Sequence, residues 1–264
     1  MSDVTTIITC SEIPEHPTTK FIESCVTSLE RINARNNPII LAHDAGVGNS
    51  AYDEYIGLVE DIYQSDDNIT VCKTPSKTHL TGNVRNAMKF VDTAYVLIIQ
   101  HDLPFIGSFD INLIAEDMKA SDDVKFVIFN KRANTCIGDD AITKHNSLDL
   151  FGEQVELYNY TYTRTPRWSD NNHLCRADYY RDIILQEVPD HKPMEFDIFY
   201  SGLKIEYSHN KDSLTKQLHE KYGMYLFGEL NKPATIFHTN AYPKRPPGDD
   251  EGWDNYIKIL NEIT

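Results

Sequence analysis

The apolar run Tyr95-Val96-Leu97-Ile98-Ile99 stops abruptly at Gln100-His101-Asp102. An imidazole and a carboxylate side by side are ligands for Mn2+ or Mg2+, and a carboxylate suits a hard cation that bridges phosphates. The alternative reading is a turn aspartate beside an edge histidine. His43-Asp44-Ala45-Gly46 follows an earlier apolar run. Asp44 there either accepts hydrogen bonds from a nucleobase or ribose, or is simply a residue that turns favour. Arg85, within Gly82-Asn83-Val84-Arg85-Asn86-Ala87, stands on the first turn of a helical stretch, where it either meets a phosphate or is solvated. Further on, Arg167-Trp168-Ser169-Asp170-Asn171-Asn172-His173-Leu174-Cys175-Arg176 sets an indole among hydrogen-bonding side chains. Trp168, Asp170 and His173 would suit a sugar, whose apolar face stacks on an aromatic ring and whose hydroxyls need polar partners. The same segment also reads as a polar loop with a partly buried tryptophan ahead of a helix cap.

Alternating elements must position these residues. Thr5 to Cys10, Pro38 to Ala42, Ile69 to Cys72, Tyr95 to Ile99 and Val124 to Phe129 read as strands. Between them Phe21, Ile22, Cys25, Val26, Leu29 and Ile32 have helical spacing, as do Tyr52, Tyr55, Ile56, Val59, Ile62 and Tyr63, and then Val84, Ala87, Met88 and Val91. Strands alternating with helices predict an α/β fold, a mostly parallel sheet flanked by helices. Ligands of such sheets sit beyond the carboxyl ends of the strands, where Asp44 and Asp102 fall. The second half is less regular. Val155 to Thr163 alternates like a strand, Asp178 to Gln186 and Asp212 to Tyr222 read as helices, and Met224 to Phe227 and Ala234 to Phe237 as short strands. Pro243 to Gly252 reads as a surface loop. No linker composition divides the chain, so residues 1–264 are expected to form one domain.

Composition narrows the chemistry. The formal net charge of the 264 residues is −15, which repels nucleic acid at long range. An anionic ligand would need local compensation from a divalent cation and a few placed basic side chains. Ser11 to Pro17 carries no glycine-rich turn, so neither the dinucleotide fingerprint nor the P-loop is present. The five cysteines have no CxxC spacing, which disfavours a zinc site or a disulfide framework. No apolar stretch is long enough for a membrane span. Met1 runs into the strand-like Val4 to Thr9 without a basic start, so a cytoplasmic location is expected.

Together these points resemble the nucleotide-sugar-binding half of the GT-A glycosyltransferases, a Rossmann-like fold, and especially glycosyltransferase family 2 and related virus-encoded enzymes. That family shows a strand followed by Asp, then a Gly…Arg-Asn-Ala helix, then an apolar strand ending in Asp-x-Asp. Asp44, Gly82 to Ala87 and Gln100-His101-Asp102 occupy that order here. Gln100 stands where the family has its first aspartate, and Asp102 matches the second. The resemblance covers residues 4 to 130 well and the rest loosely. It implies a nucleotide-sugar half over about 1–130, an acceptor and metal half over about 131–242 and a tail over 243–264. It also implies that Asp102 and the late His238 hold the metal. Gln100 and His101 then lie against the donor, with Asp44 on the nucleoside and Arg85 on the phosphates. Pro193-Met194-Glu195-Phe196-Asp197 looks like the family's acidic pair at a helix start. On a helix Glu195 and Asp197 diverge by about 200°, and Glu195 is the expected base.

The implied activity is metal-dependent transfer of a hexose or deoxyhexose from a nucleoside diphosphate to a hydroxyl of an oligosaccharide or glycan acceptor, inverting the anomeric carbon. The rival readings are a sugar nucleotidyltransferase and a non-catalytic nucleotide- or glycan-binding protein on the same fold.

Overall fold

The computed structural model describes residues 2–46, 48–134, 153–165, 168–191, 194, 221–239 and 251–263. Four parallel strands form its first half: β1 (Val4–Cys10), β2 (Ile39–His43), β3 (Ile69–Lys73) and β4 (Tyr95–Gln100), in the order β3-β2-β1-β4. Every residue of β1 and β2 is buried, because helices cover both faces of a parallel sheet. Alternation sends Ile8, Leu41 and Leu97 to one face and Ile7, Ile40 and Val96 to the other.

On the first face lie α1 (Lys20–Ser28), α2 (Ser50–Tyr63) and α4 (Ile111–Ala120). Helix α1 buries Ile22, Cys25 and Val26, and α2 buries Tyr52, Tyr55, Ile56 and Val59. Each such side chain contributes about 1.5–3 kcal/mol by leaving water. Asn49 starts α2 by accepting from the backbone N–H of Ala51 at 3.1 Å. Asp110 starts α4 by accepting from Asn112 N–H at 2.9 Å. The opposite face carries α3 (His79–Ala87) and α5, which begins at Ala177–Tyr179, passes a π-helical turn over Tyr180–Ile184 and ends at Leu185–Glu187.

The second half extends the same sheet with β5 (Phe126–Ile128), β6 (Gln154–Glu156), β7 (Thr161–Arg164), β8 (His173–Arg176) and β9 (Met224–Phe227). The full order is β3-β2-β1-β4-β8-β5-β9-β7-β6. Only β7 and β8 run against the rest, so the sheet is mostly parallel, as expected.

Several readings of the second half change. The Trp168 segment is not a loop throughout: its end is β8, inserted antiparallel between β4 and β5. Val155 to Thr163 is two strands, because a turn over 157–160 folds β6 back on β7. Ala234 to Phe237 makes a single bridge, Ile236 to Phe105, and no strand. The tail ends in a helix, α6 (Glu251–Ile263), whose Trp253 and Tyr256 pack on Phe21 and Phe237. The helix read over Asp212 to Tyr222 lies, apart from its last two residues, outside the described residues.

Candidate functional site

Register brings the strand ends level. Cys10 pairs with His43, Thr9 with Gln100 and His43 with Lys73. The chain segments leaving β1, β2, β3 and β4 therefore converge on one edge, around a cavity of about 450 Å3. That volume lies within the range of small-molecule sites.

Asp44 and Asn83 build its wall. The Asp44 carboxylate accepts from Thr78 N–H at 2.7 Å, His79 N–H at 2.8 Å, Thr78 Oγ1 at 3.0 Å and Thr74 Oγ1 at 3.1 Å. Four donors fix it as the anchor of the loop that begins α3, and a negative charge at a helix N-terminus is itself favourable. Asn83 donates from its amide to Ala42 O at 2.8 Å and to Cys10 O at 3.3 Å, tying the ends of β2 and β1 to α3. Gly82 is required between them, because a Cβ there would collide with the Thr78 side chain.

Asp102 and His238 meet on the cavity lining. Asp102 Oδ2 lies 3.4 Å from His238 Nε2, across 136 residues of sequence. The contact is held from the backbone: Thr239 donates to the Asp102 carbonyl from its N–H at 2.9 Å and from its hydroxyl at 3.0 Å. Burial holds the His238 imidazole below its ordinary 6.5, against the opposing attraction of Asp102. His238 is therefore neutral at pH 7 and keeps a lone pair for a cation. Two donors on one small cation at about 2.1 Å each lie about 3 Å apart, so this pair fits a divalent ion as two of its ligands. Among the described residues no group of three or more His, Cys, Asp or Glu is arranged for a metal. Further ligands would come from a bound diphosphate and water, the usual arrangement for a hard cation on substrate phosphates.

The other expected residues fall in different places. Gln100 lines the cavity, but its amide donates to Asp170 O at 2.9 Å, and Asn172 Oδ1 accepts from its N–H at 3.2 Å. Gln100 thus couples the end of β4 to the segment carrying Asp170, which is half-buried. His101 also lines the cavity, with its Nδ1 3.3 Å from Thr9 O and its Nε2 buried without a partner among the described residues. Arg85 does not line the cavity. Its Nε donates to Asp190 Oδ1 at 2.9 Å and its Nη2 to Val188 O at 2.7 Å, so it fastens α3 to the end of α5. Trp168 and His173 are fully buried. Trp168 packs against Phe126 at 5.4 Å, and His173 stacks on Phe126 at 4.4 Å and on Tyr180 at 5.6 Å. Neither ring shows a face to a ligand. Glu195 lies outside the described residues.

The cavity residues missed in sequence include Asn83, Glu12, Lys77 and His79. Lys77 was findable, since it follows β3 as Asp44 follows β2 and Asp102 follows β4. An aromatic cluster lies beside the ends of β1 and β2. His16 contacts Tyr55 at 4.0 Å, Tyr55 stacks on Tyr52 at 5.7 Å, and His43 contacts Tyr55 at 5.6 Å. His43 has no exposure and, among the described residues, no partner for either ring nitrogen. Burial pushes its pKa down to about 3 and that of His16 down to about 4, so both are neutral.

No protein-family model matches the chain, and no curated protein sequence matches it. Solved structures do share its fold. TarS of S. aureus, in complex with UDP-GlcNAc, superposes with a TM-score of 0.52 at 11% identity, over 100% of this chain and 65% of that one. GalNAc-T7 with UDP, GalNAc and Mn2+ gives 0.53 at 10% identity, over 98% of this chain and 48% of that one. A Bacillus anthracis protein described as a glucose-1-phosphate thymidylyltransferase gives 0.50 at 11% identity, over 98% and 95%. This chain therefore spans less than two thirds of TarS and about half of GalNAc-T7. The fold is the GT-A fold, common to glycosyltransferases and nucleotidyltransferases. Among the described residues no helix is long and apolar enough to cross a membrane.

Proposed function

We propose that the chain is a glycosyltransferase that moves a sugar from a nucleoside-diphosphate donor to a hydroxyl of a glycan acceptor. One observation carries the reading: the Asp102–His238 pair lines a cavity at the carboxyl ends of the parallel strands. Asp102 and His238 would hold Mn2+ or Mg2+, which when bound neutralises charge on the departing diphosphate. Asp44 acts on the nucleoside at one remove, by fixing the loop from Thr74 to His79 against the cavity. Gln100 holds the segment that carries Asp170, the expected acceptor-binding residue, at the end of β4. Glu195 is the base in this reading. It takes the acceptor's hydroxyl proton as the new bond to the anomeric carbon forms and the bond to the diphosphate breaks. A single base implies inversion.

The test is thermal-shift screening with UDP, GDP, dTDP and CDP, each with Mn2+, Mg2+ or EDTA, on wild type and Asp102→Ala. A ligand that binds the folded state raises its apparent stability. The expected result is a metal-dependent rise with one nucleotide that Asp102→Ala abolishes. No rise with any nucleotide in either metal would end the glycosyltransferase reading. Product analysis separates the nucleotidyltransferase alternative, which releases pyrophosphate where a glycosyltransferase releases a nucleoside diphosphate.

A further inference from the structure

A diphosphate brought into this cavity meets the wrong charge. Among the described residues lining it, three carboxylates, Glu12, Asp44 and Asp102, stand against one ammonium, Lys77. The whole chain adds a net charge of −15. A cation at Asp102 and His238 offsets part of this, and a positive side chain is still needed on the wall. Arg85, expected to fill that role, is engaged with Asp190 and Val188.

We propose that Lys77 takes the diphosphate of the donor, and that Glu12 competes with the diphosphate for it. The inference rests on the reading of the cavity as a nucleotide-sugar site. Lys77 directly precedes Thr78, whose backbone N–H bonds Asp44 at 2.7 Å. Its ammonium therefore swings from an anchored point of the backbone. Its ion pair with Glu12 Oε2 spans 3.8 Å, too long for a hydrogen bond, and the two side chains are 42% and 34% exposed. Such a pair contributes little to stability and is easily broken. Glu12 is the better held of the two, because its Oε1 accepts from Asn49 Nδ2 at 2.5 Å, and Asn49 caps α2. A carboxylate thus stays in place beside the lysine. Only an anion with greater charge displaces it, and a diphosphate offers several charged oxygens for the ammonium's three donors.

The experiment is calorimetric titration of inorganic pyrophosphate and of UDP, GDP, dTDP and CDP, each with Mn2+. It is run on wild type, Lys77→Met, Lys77→Arg, Glu12→Gln and the double variant Glu12→Gln/Lys77→Met. Loss of one charge-assisted contact predicts about ten- to a hundredfold weaker binding in Lys77→Met. Lys77→Arg, which keeps the charge, retains more affinity than Lys77→Met. Relief of competition predicts about threefold tighter binding in Glu12→Gln, a gain absent from the double variant. Both side chains are partly exposed, so unchanged circular dichroism and melting temperature are expected throughout. Equal affinity in wild type and Lys77→Met would overturn the role of Lys77 while leaving the nucleotide-sugar reading intact. A Glu12→Gln gain that persists without Lys77 would overturn the competition. Failure of wild type to bind any of the five anions would overturn the nucleotide-sugar reading, and this inference with it.

Discussion

Two buried carboxylates of the first half, one fastening a loop of that half and the other a turn of the second, are satisfied in the same way. Asp44 accepts from two backbone N–H groups and two hydroxyls at the rim of the parallel half. Asp117, on α4, accepts from Asn159 N–H at 3.0 Å, Tyr160 N–H at 3.0 Å, Tyr162 OH at 2.8 Å and Asn159 Nδ2 at 3.1 Å. Each fastens a loop by the backbone: Asp44 the approach to α3, Asp117 the turn between β6 and β7. Yet Asp44 lines the cavity, and Asp117 is only 1% exposed and holds a turn at the far edge of the sheet. The local chemistry of the two sites is alike. What separates them is whether the fastened loop lies at the carboxyl ends of the parallel strands, where a ligand can reach.

Alanine at either position is the sharpest way to test that comparison. Asp117→Ala strands two N–H groups and a phenol, and should cost about 3–4 kcal/mol in a urea unfolding experiment. The folded fraction should keep the metal-dependent thermal shift with nucleotide. Asp44→Ala should cost a similar amount and also lose that shift. Undiminished nucleotide binding in Asp44→Ala would break the distinction between the two carboxylates.

Per residue, a smaller effect follows from the histidines, which occur in both halves. Burial holds His43 at about 3, and His16 and His173 at about 4, all below the ordinary 6.5. The unfolded chain takes up these protons more readily than the folded one. Stability is therefore full above pH 6.5 and falls as pH drops toward 4. Each histidine contributes a slope of about 1.4 kcal/mol per pH unit. Urea midpoints between pH 7 and 5 should show the loss. His43→Phe, which removes an imidazole with no hydrogen bond, should flatten the slope by one histidine's share. An unchanged slope would mean that His43 is not held neutral.

The smallest effect belongs to Arg85. Its pair with Asp190 is 34% and 43% exposed and its other bond is to Val188 O, so Arg85→Met should cost about 1–2 kcal/mol, with nucleotide affinity unchanged. A large loss of affinity would restore Arg85 to the phosphate site and weaken the case for Lys77.

The four parallel strands and the helices between them were legible because each is announced by its own residues. Tyr95 to Ile99 is apolar without alternation, and Tyr52, Tyr55, Ile56 and Val59 recur at helical spacing. The strand-end rule then placed Asp44 and Asp102 beside the cavity without knowledge of any contact. Strand β8 escaped because His173-Leu174-Cys175-Arg176 is short and half polar, and its burial comes from insertion between β4 and β5. Helix α6 escaped because its Trp253 and Tyr256 find their partners on Phe21 and Phe237, far away in sequence.

By itself, then, the sequence determined the α/β class, the positions of the first strands along the chain and the edge at which a ligand can bind. All three depend on periodicities only a few residues long. The tertiary structure decided which side chains serve that edge. It turned Arg85 toward Asp190, sank Trp168 and His173 into the core, and left Lys77 on the cavity wall. It also brought His238 to Asp102. Those outcomes depend on partners supplied by distant segments, and a side chain's direction follows from the neighbour it meets after folding.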